Sequence, residues 1–505
     1  MRRTIVSGVL SVVSGKVLTL FIGIATTPIL YRLLGPAQFG AYTTVMSVHA
    51  IFMIFISSGI TSGVRKFVAE DRSSSNWKPH VVGFYFRAAL ALALLGALGY
   101  LAAIRFGVVG RLFGPEFETY FGLMIAMVVT AQVWAYARKT LMGFGLERYS
   151  EPLKVLYRVI FASTALALVY IGFGVVGALG GQILATFFVG FAGIILVFRQ
   201  VPIRATIRPV PSEFPRTQMI TYNVMAVALS LFLLSLYHVD IIMLQTIVGS
   251  TEVGNYKAAL VLAEFLWFVP LTIQTVYVHS ASELWSQGRL ERITKLAART
   301  TRYTLLLTTL MTLGLASLAR IVVPIYWGAE AVPAVTPLLL LLPGAVGFAA
   351  TRPTLAIQQG HGQLRYPVLA TAAAAAINLA CNLLLIPRYG TSGAAVATSL
   401  GYGSMLVFHI WSARKLGFDP VSDARPIRIG ATVVIAAVPI IGLPLILPGT
   451  VLPLLAVPPI GLLVYLLAAF RTGALGVGEC FDLLAAFPEP VGSAVERFET
   501  RFDMP

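Results

Sequence analysis

The octapeptide Gly35-Pro36-Ala37-Gln38-Phe39-Gly40-Ala41-Tyr42 returns 214 residues later as Gly249-Ser250-Thr251-Glu252-Val253-Gly254-Asn255-Tyr256, with both glycines and the tyrosine in register. Two further patterns recur in the same order. Gly143, Gly145, Arg148 and Tyr149 reappear as Gly360, Gly362, Arg365 and Tyr366, 217 residues on. Gly174, Gly177 and Ala178 reappear as Gly390, Gly393 and Ala394, 216 residues on. One match means little in a chain with 45 glycines. Three at a nearly constant offset define an internal repeat.

Around these turns lie apolar runs long enough to cross a bilayer, which needs about 20 residues per helix. The spans read as 5–30, 39–64, 81–104, 119–137, 155–172, 175–198, 218–248, 253–280, 303–324, 334–351, 367–387, 391–412, 427–447 and 450–470. The first follows Arg2-Arg3 as a signal peptide would, but it is too long for one and has a counterpart in the second repeat, so it reads as a helix of the fold. Each repeat holds six spans, and an even number preserves orientation, so the copies are related by an axis along the membrane normal. The expected fold is an all-α polytopic membrane protein with about 14 transmembrane helices. Two pseudo-symmetric six-helix lobes, 1–217 and 218–425, flank a central cleft; two extra helices (426–470) and a cytoplasmic tail (471–505) follow.

Composition agrees. Of 505 residues 57% are apolar and 11% charged, and mean hydropathy is +0.84. Soluble domains carry about 25% charged residues, so a large soluble catalytic or DNA-binding domain has no room. The net charge of +16 arises from cytoplasmic loops rather than from nucleic-acid binding. Connections on the N-terminal side hold 28 Lys and Arg, those on the other side five (Arg32, Arg105, Arg111, Arg320, Arg388). That asymmetry places both termini in the cytoplasm of a multi-pass cell-membrane protein. Cys381 and Cys480 form neither a disulfide framework nor a metal-ligand pattern.

The stretch 30–42, its counterpart at 240–256, Gln359-Gly360-His361-Gly362, and 386–395 resemble hallmarks of the polysaccharide-export branch of the multidrug/oligosaccharidyl-lipid/polysaccharide exporter superfamily. The similarity covers residues 1 to 415. It implies a flippase that carries a polyprenyl-(pyro)phosphate-linked oligosaccharide from the cytoplasmic to the outer leaflet by alternating access. It also implies a cleft lined by helices 1, 2, 7 and 8, often cationic. Drug-exporting relatives carry an acidic cation site in the first helix; here that helix offers Lys16 and no carboxylate. The partners implied are the lipid-linked oligosaccharide, membrane lipids and glycan-assembly machinery, with no nucleic acid and no bound cofactor beyond coupling to a proton or cation gradient.

Ionisable groups in hydrocarbon are costly and mark pathways or partners. Lys16 lies about 16 Å into helix 1 at 1.5 Å per residue, and its ammonium suits a phosphate. Arg87 and Arg158 sit a turn or two inside their helices, where snorkelling competes with a phosphate-attracting entrance. Asp240 and Lys257 flank the turn at Gly249 at similar depth, as an ion pair or with a role in coupling or gating, and Lys257 joins Lys16, Arg87 and Arg158 as a phosphate-attracting group of the cleft. Glu264, on the same helix face as Lys257, is a second coupling or gating candidate. The resemblance places it across the cleft from Lys16. Asn223, Asn378, Asn382, Gln132, His49 and His238 read as interhelical hydrogen-bonding groups. A membrane glycosyl- or phosphotransferase would need paired carboxylates for metal or acid–base work, and none is evident at a membrane surface. A multidrug exporter and a peptidoglycan-precursor flippase are the remaining alternatives, and fold alone does not separate them.

Overall fold

The computed structural model describes residues 2–70, 72, 76–206, 209–211, 213–476 and 478–479, without the side chains of 2–17, 205–206, 225–226, 275–276 and 279. Among the described residues every regular element is helical. The α-helices run α1 (Arg2–Met53), α2 (Gly59–Ala69), α3 (Trp77–Arg105), α4 (Val108–Phe113) and α5 (Glu116–Gly143). They continue as α6 (Glu147–Leu168), α7 (Gly174–Phe198), α8 (Arg216–Ile247), α9 (Ser250–Glu264) and α10 (Phe268–Ser286). The last five are α11 (Leu290–Trp327), α12 (Val335–His361), α13 (Arg365–Lys415), α14 (Pro426–Ile446) and α15 (Val451–Thr472).

Eleven helical segments among the described residues are long and apolar enough to cross a membrane. Three of them, Leu18–Ala69, Glu147–Phe198 and Arg365–Lys415, are 51 or 52 residues long. A straight helix of that length would reach about 78 Å, more than twice the hydrocarbon thickness. Each is broken where a glycine leaves helical geometry, at Gly35 (φ 70°, ψ 169°), at Gly174 (φ 52°, ψ −134°) and at Gly390 (φ 52°, ψ −129°). Two crossings in each of the three bring the eleven segments into line with the fourteen spans expected.

The repeat is visible in the elements as well. Residues 77–113 (α3 and α4) correspond to α11, α5 to α12, and 147–198 to α13. Left-handed glycines recur in pairs: Gly35 and Gly249, Gly114 and Gly328 (both φ 109°), Gly145 and Gly362, Gly174 and Gly390.

By internal contacts the chain forms two compact units. The first comprises Met1–Leu260, Tyr326–Pro337 and Thr371–Gly401, and so draws on both copies of the repeat. Its cores include Val64, Phe67, Tyr85 and Tyr136 in one cluster and Val45, Phe117, Met124 and Leu179 in another. Here the repeated turns meet. A β-carbon on Gly40 would collide with the backbone oxygen of Ser250, and one on Gly254 with the backbone oxygen of Pro36. Gly40 and Gly254 are repeat-equivalent, and so are Pro36 and Ser250. The contact is therefore isologous, as across a twofold axis. Tyr31 donates to Asn255 Oδ1 (3.3 Å) and Thr44 donates to Gln245 Oε1 (3.1 Å), extending the seam on either side.

The second unit comprises Val261–Ile325, Leu338–Ala370 and Tyr402–Pro505. One of its cores joins α11 to α14 and α15 through Leu306, Leu313, Ile440, Val457 and Tyr465. Arg302 of α11 is completely buried and pairs with Asp423 (2.8 Å) and with Glu479. Arg425 pairs with the same two carboxylates and donates to the Gly473 carbonyl. Glu479 belongs to the segment read from sequence as a tail, and these contacts fasten its first residues onto α11.

Candidate functional site

In the first unit a buried polar chain runs through α8, α9 and α13. Asp240 is fully buried. Its Oδ2 accepts from the Tyr256 hydroxyl and from Thr398 Oγ1 (2.9 Å), and its Oδ1 accepts from the Ile241 backbone N–H (2.8 Å). Asn378 Nδ2 donates to Thr398 Oγ1 (3.3 Å), and Asn382 Nδ2 donates to Asn378 Oδ1 (3.1 Å). The donors thus point in sequence toward a single carboxylate. A carboxylate this deep is tolerable only with such partners. Asn382 Oδ1 is buried and accepts from no described group. The cluster offers carboxylate, hydroxyl and amide oxygens, the set that holds a proton or a hard cation. Backbone geometry brings it together. Gly401 lies against the Asn378 side chain, where a β-carbon would not fit.

Lys257 follows Tyr256 on α9 and lies within electrostatic reach of both Asp240 and His238. His238 Nδ1 meets Ser47 Oγ at 3.1 Å, tying α8 to α1. The structure therefore brings the expected Asp240–Lys257 pair into one neighbourhood, with the carboxylate held by hydroxyls as well. Arg158 lies over the Tyr157 ring, 5.7 Å from its centroid, and within reach of Tyr42 on α1. Arg87 is half-buried on α3. Glu264 ends α9, where the helix tightens into a 3₁₀ turn at Phe265–Trp267 of the second unit. The Lys16 side chain lies outside the described residues.

The polar groups read as interhelical links make such links. His49 meets Tyr100 (3.2 Å), Gln132 donates to the Ile56 carbonyl (3.3 Å), and Tyr85 donates to Asn223 (3.3 Å). Thr398 was not singled out from sequence. Its signal was its place five residues after the repeated Gly393, on the turn that the helix needs to face Asp240.

The second unit holds an apolar cavity of about 440 Å³ between α11, α14, α15 and the turn after Glu264. Leu266, Met311, Gly314, Ile440, Pro458 and Gly461 are among its walls, and every lining residue is apolar.

These features define a multi-pass, all-helical membrane protein with the fold of the multidrug/oligosaccharidyl-lipid/polysaccharide superfamily. Lipid II flippase MurJ in an inward closed conformation superposes with a TM-score of 0.71 at 14% identity, covering 92% of this chain and 98% of that one. A multidrug resistance MATE family transporter in an inward-facing conformation gives 0.64 at 14% identity, over 79% and 98%. The model of the polysaccharide biosynthesis protein family matches residues 5–276, and the chain belongs to that family. An uncharacterized membrane protein of Methanocaldococcus jannaschii is 20% identical over 88% of this chain and 91% of its own.

Proposed function

We propose that the protein is a flippase carrying a polyprenyl-(pyro)phosphate-linked oligosaccharide from the cytoplasmic to the outer leaflet, its two six-helix lobes rocking in alternating access. The observation that carries this reading is the apolar cavity built partly from α14 and α15, the helices added outside the repeat. An all-apolar groove has nothing to orient a soluble, charged drug; it suits a hydrocarbon chain, which gives up no polar contact on passing into it from lipid. Family membership supplies the sugar end of the argument, and the name of the lipid II flippase supports a lipid-linked cargo. The charged groups Lys16, Arg87, Arg158 and Lys257 would meet the phosphate, and Asp240 with Glu264 would couple or gate transport to a proton or cation gradient.

One assay tests both halves. Membrane vesicles carrying the protein are loaded with labelled lipid-linked oligosaccharide, and its arrival in the opposite leaflet is scored with and without an imposed gradient. The wild type is expected to move the cargo. Gly314→Phe, which fills the cavity from a position with no neighbour within 4 Å of a β-carbon, is expected to abolish movement without loss of folded protein. Asp240→Asn is expected to lose the gradient dependence. Unimpaired movement in Gly314→Phe would remove the lipid-groove argument. A wild type that ignores the lipid and lowers drug accumulation instead would make it a multidrug exporter.

A further inference from the structure

In the second unit the α14–α15 hairpin is fastened to α11 by polar groups at one end only. Arg302 of α11 pairs with Asp423 (2.8 Å) and Glu479, and Arg425 pairs with Asp423 (3.2 Å) and Glu479 (3.5 Å), so the four groups close a ring of alternating charge. Asp423 and Arg425 precede α14 and Glu479 follows α15, so the ring ties the feet of both helices to α11. Hydroxyl pairs extend the hold. Thr432 meets Thr472 (2.7 Å) between α14 and α15, and Thr309 of α11 meets Tyr465 of α15 (2.7 Å). Toward the tip of the hairpin this fastening stops. Among the described residues no side-chain hydrogen bond or ion pair joins 439–457 to α11. What remains is apolar contact through Ile440, Leu443, Leu454 and Val457. In lipid such contact has no hydrophobic driving force and depends on close packing. Close packing is interrupted at this height by the cavity of about 440 Å³, with Gly314, Ile440, Val457 and Pro458 among its walls.

The helices are also weakest there. Pro439 and Pro444 lie inside α14, and Pro458 and Pro459 inside α15. Proline has no N–H, so the carbonyls four residues earlier, of Ile435, Ile440, Leu454 and Leu455, lose their helical donor. Such positions are where helices bend. Beyond them the tip stands clear of the rest of the unit, with Leu445, Ile446 and Val451 83%, 77% and 66% exposed.

We propose that the tip half of the hairpin, residues 439–458, is a lid on the apolar cavity. It bends at the prolines and swings away from α11 while the ion ring holds its feet, and so admits a hydrocarbon chain sideways from the bilayer. The occupant is the polyprenyl tail of the cargo. A tail that is carried must enter and leave once per cycle, and a wall free at one end lets it do so without threading end-first. The choice of occupant rests on the flippase reading; the hinge rests on the prolines and the ring.

The test uses the full chain with Cys381→Ser and Cys480→Ser in phosphatidylcholine nanodiscs, carrying two spin labels whose separation is read by double electron–electron resonance. One pair, Arg320→Cys with Thr450→Cys, spans α11 and the tip; the other, Lys295→Cys with Arg471→Cys, spans α11 and the feet. All four positions are exposed. Undecaprenyl phosphate is expected to lengthen the tip pair by about 5 Å, half a helix-to-helix spacing, and to leave the foot pair unchanged. Replacing Pro439, Pro458 and Pro459 together by alanine, the best helix former, is expected to abolish the shift. Glu479→Gln, which opens the ring, is expected to spread the foot pair as well. Monodisperse elution and retained helical circular dichroism establish that the variants fold. A tip pair already long in discs and short in detergent would keep the lid and give the cavity to bilayer acyl chains. A tip pair that never lengthens, that lengthens only together with the foot pair, or that lengthens equally in the proline variant overturns the proposal. Tip movement in a protein that transports no lipid-linked oligosaccharide would remove the flippase reading and leave the lid standing.

Discussion

At Gly40 and Gly254 the absent β-carbon is what lets two helix ends meet. Both residues have helical backbone, where alanine would ordinarily gain about 1 kcal/mol over glycine. Here the methyl would occupy the space of the Ser250 or Pro36 backbone oxygen, and backbone cannot swing aside as a side-chain tip can. Gly40→Ala is expected to destabilise the protein by about 1–3 kcal/mol, the usual cost of overpacking. Gly430→Ala in α14, with no neighbour within 4 Å, is expected to be neutral or slightly stabilising. Thermal unfolding of the two variants in one detergent checks the contrast, and equal unfolding temperatures would contradict it. Arg425 shows the opposite device. It is the one described residue other than glycine with positive φ (47°), a conformation that costs a non-glycine residue about 1–2 kcal/mol. Its guanidinium holds Asp423, Glu479 and the Gly473 carbonyl, which keeps it there.

At the scale of elements, the segment after α15 is fastened by ions as well as by the burial of Ala474 and Leu475 in the core of α11, α14 and α15. Burial pushes the Glu479 carboxyl up. The hydrogen bond from the Gly476 N–H, the hydrogen bond from Arg302 and the charges of Arg302 and Arg425 outweigh it, and the carboxyl is held below its usual range. A lowered value in the folded state means that the attachment is complete above the unfolded value of about 4.3 and is lost as pH falls through the folded one. Amides of 473–476 are therefore expected to lose hydrogen-exchange protection below about pH 4, beyond the intrinsic rate change. Glu479→Gln is expected to weaken protection at neutral pH by about 1 kcal/mol or less, the scale of a solvent-screened pair, and to flatten the pH profile. Identical profiles for wild type and variant would dismiss the ionic attachment. Spans and turns were legible in the sequence because hydropathy and glycine are local signals. Arg302 was not. It counted as one more cytoplasmic arginine, and its partners lie 121 and 177 residues away. For the same reason Asp240 could be picked as a buried charge while Thr398, 158 residues on, could not be assigned to it.

At the scale of the whole molecule, the 28-to-5 asymmetry of basic residues makes a statement about topology that no contact records. Both termini are expected in the cytoplasm. A fluorescent-protein fusion after Pro505 should fold and emit, and a phosphatase reporter inserted in the turn at 448–450 should be active outside. The reverse pattern would invert every reading of direction. The buried carboxylate at Asp240 and its hydroxyl partners Tyr256 and Thr398 all lie in the second copy of the repeat.

The meeting of the two glycine turns carries a last implication about ancestry. A surface that touches its own copy through matching positions is what a gene encoding half the length would present to a second identical chain. After fusion, each of Gly40 and Gly254 has the other copy's turn as its neighbour, so these two positions constrain one another while most of the rest of the two turns has drifted apart. Severed in the connection between α7 and α8 and synthesised as separate fragments, the halves are expected to reassociate through that mutual surface, covalent linkage setting their stoichiometry rather than their fit.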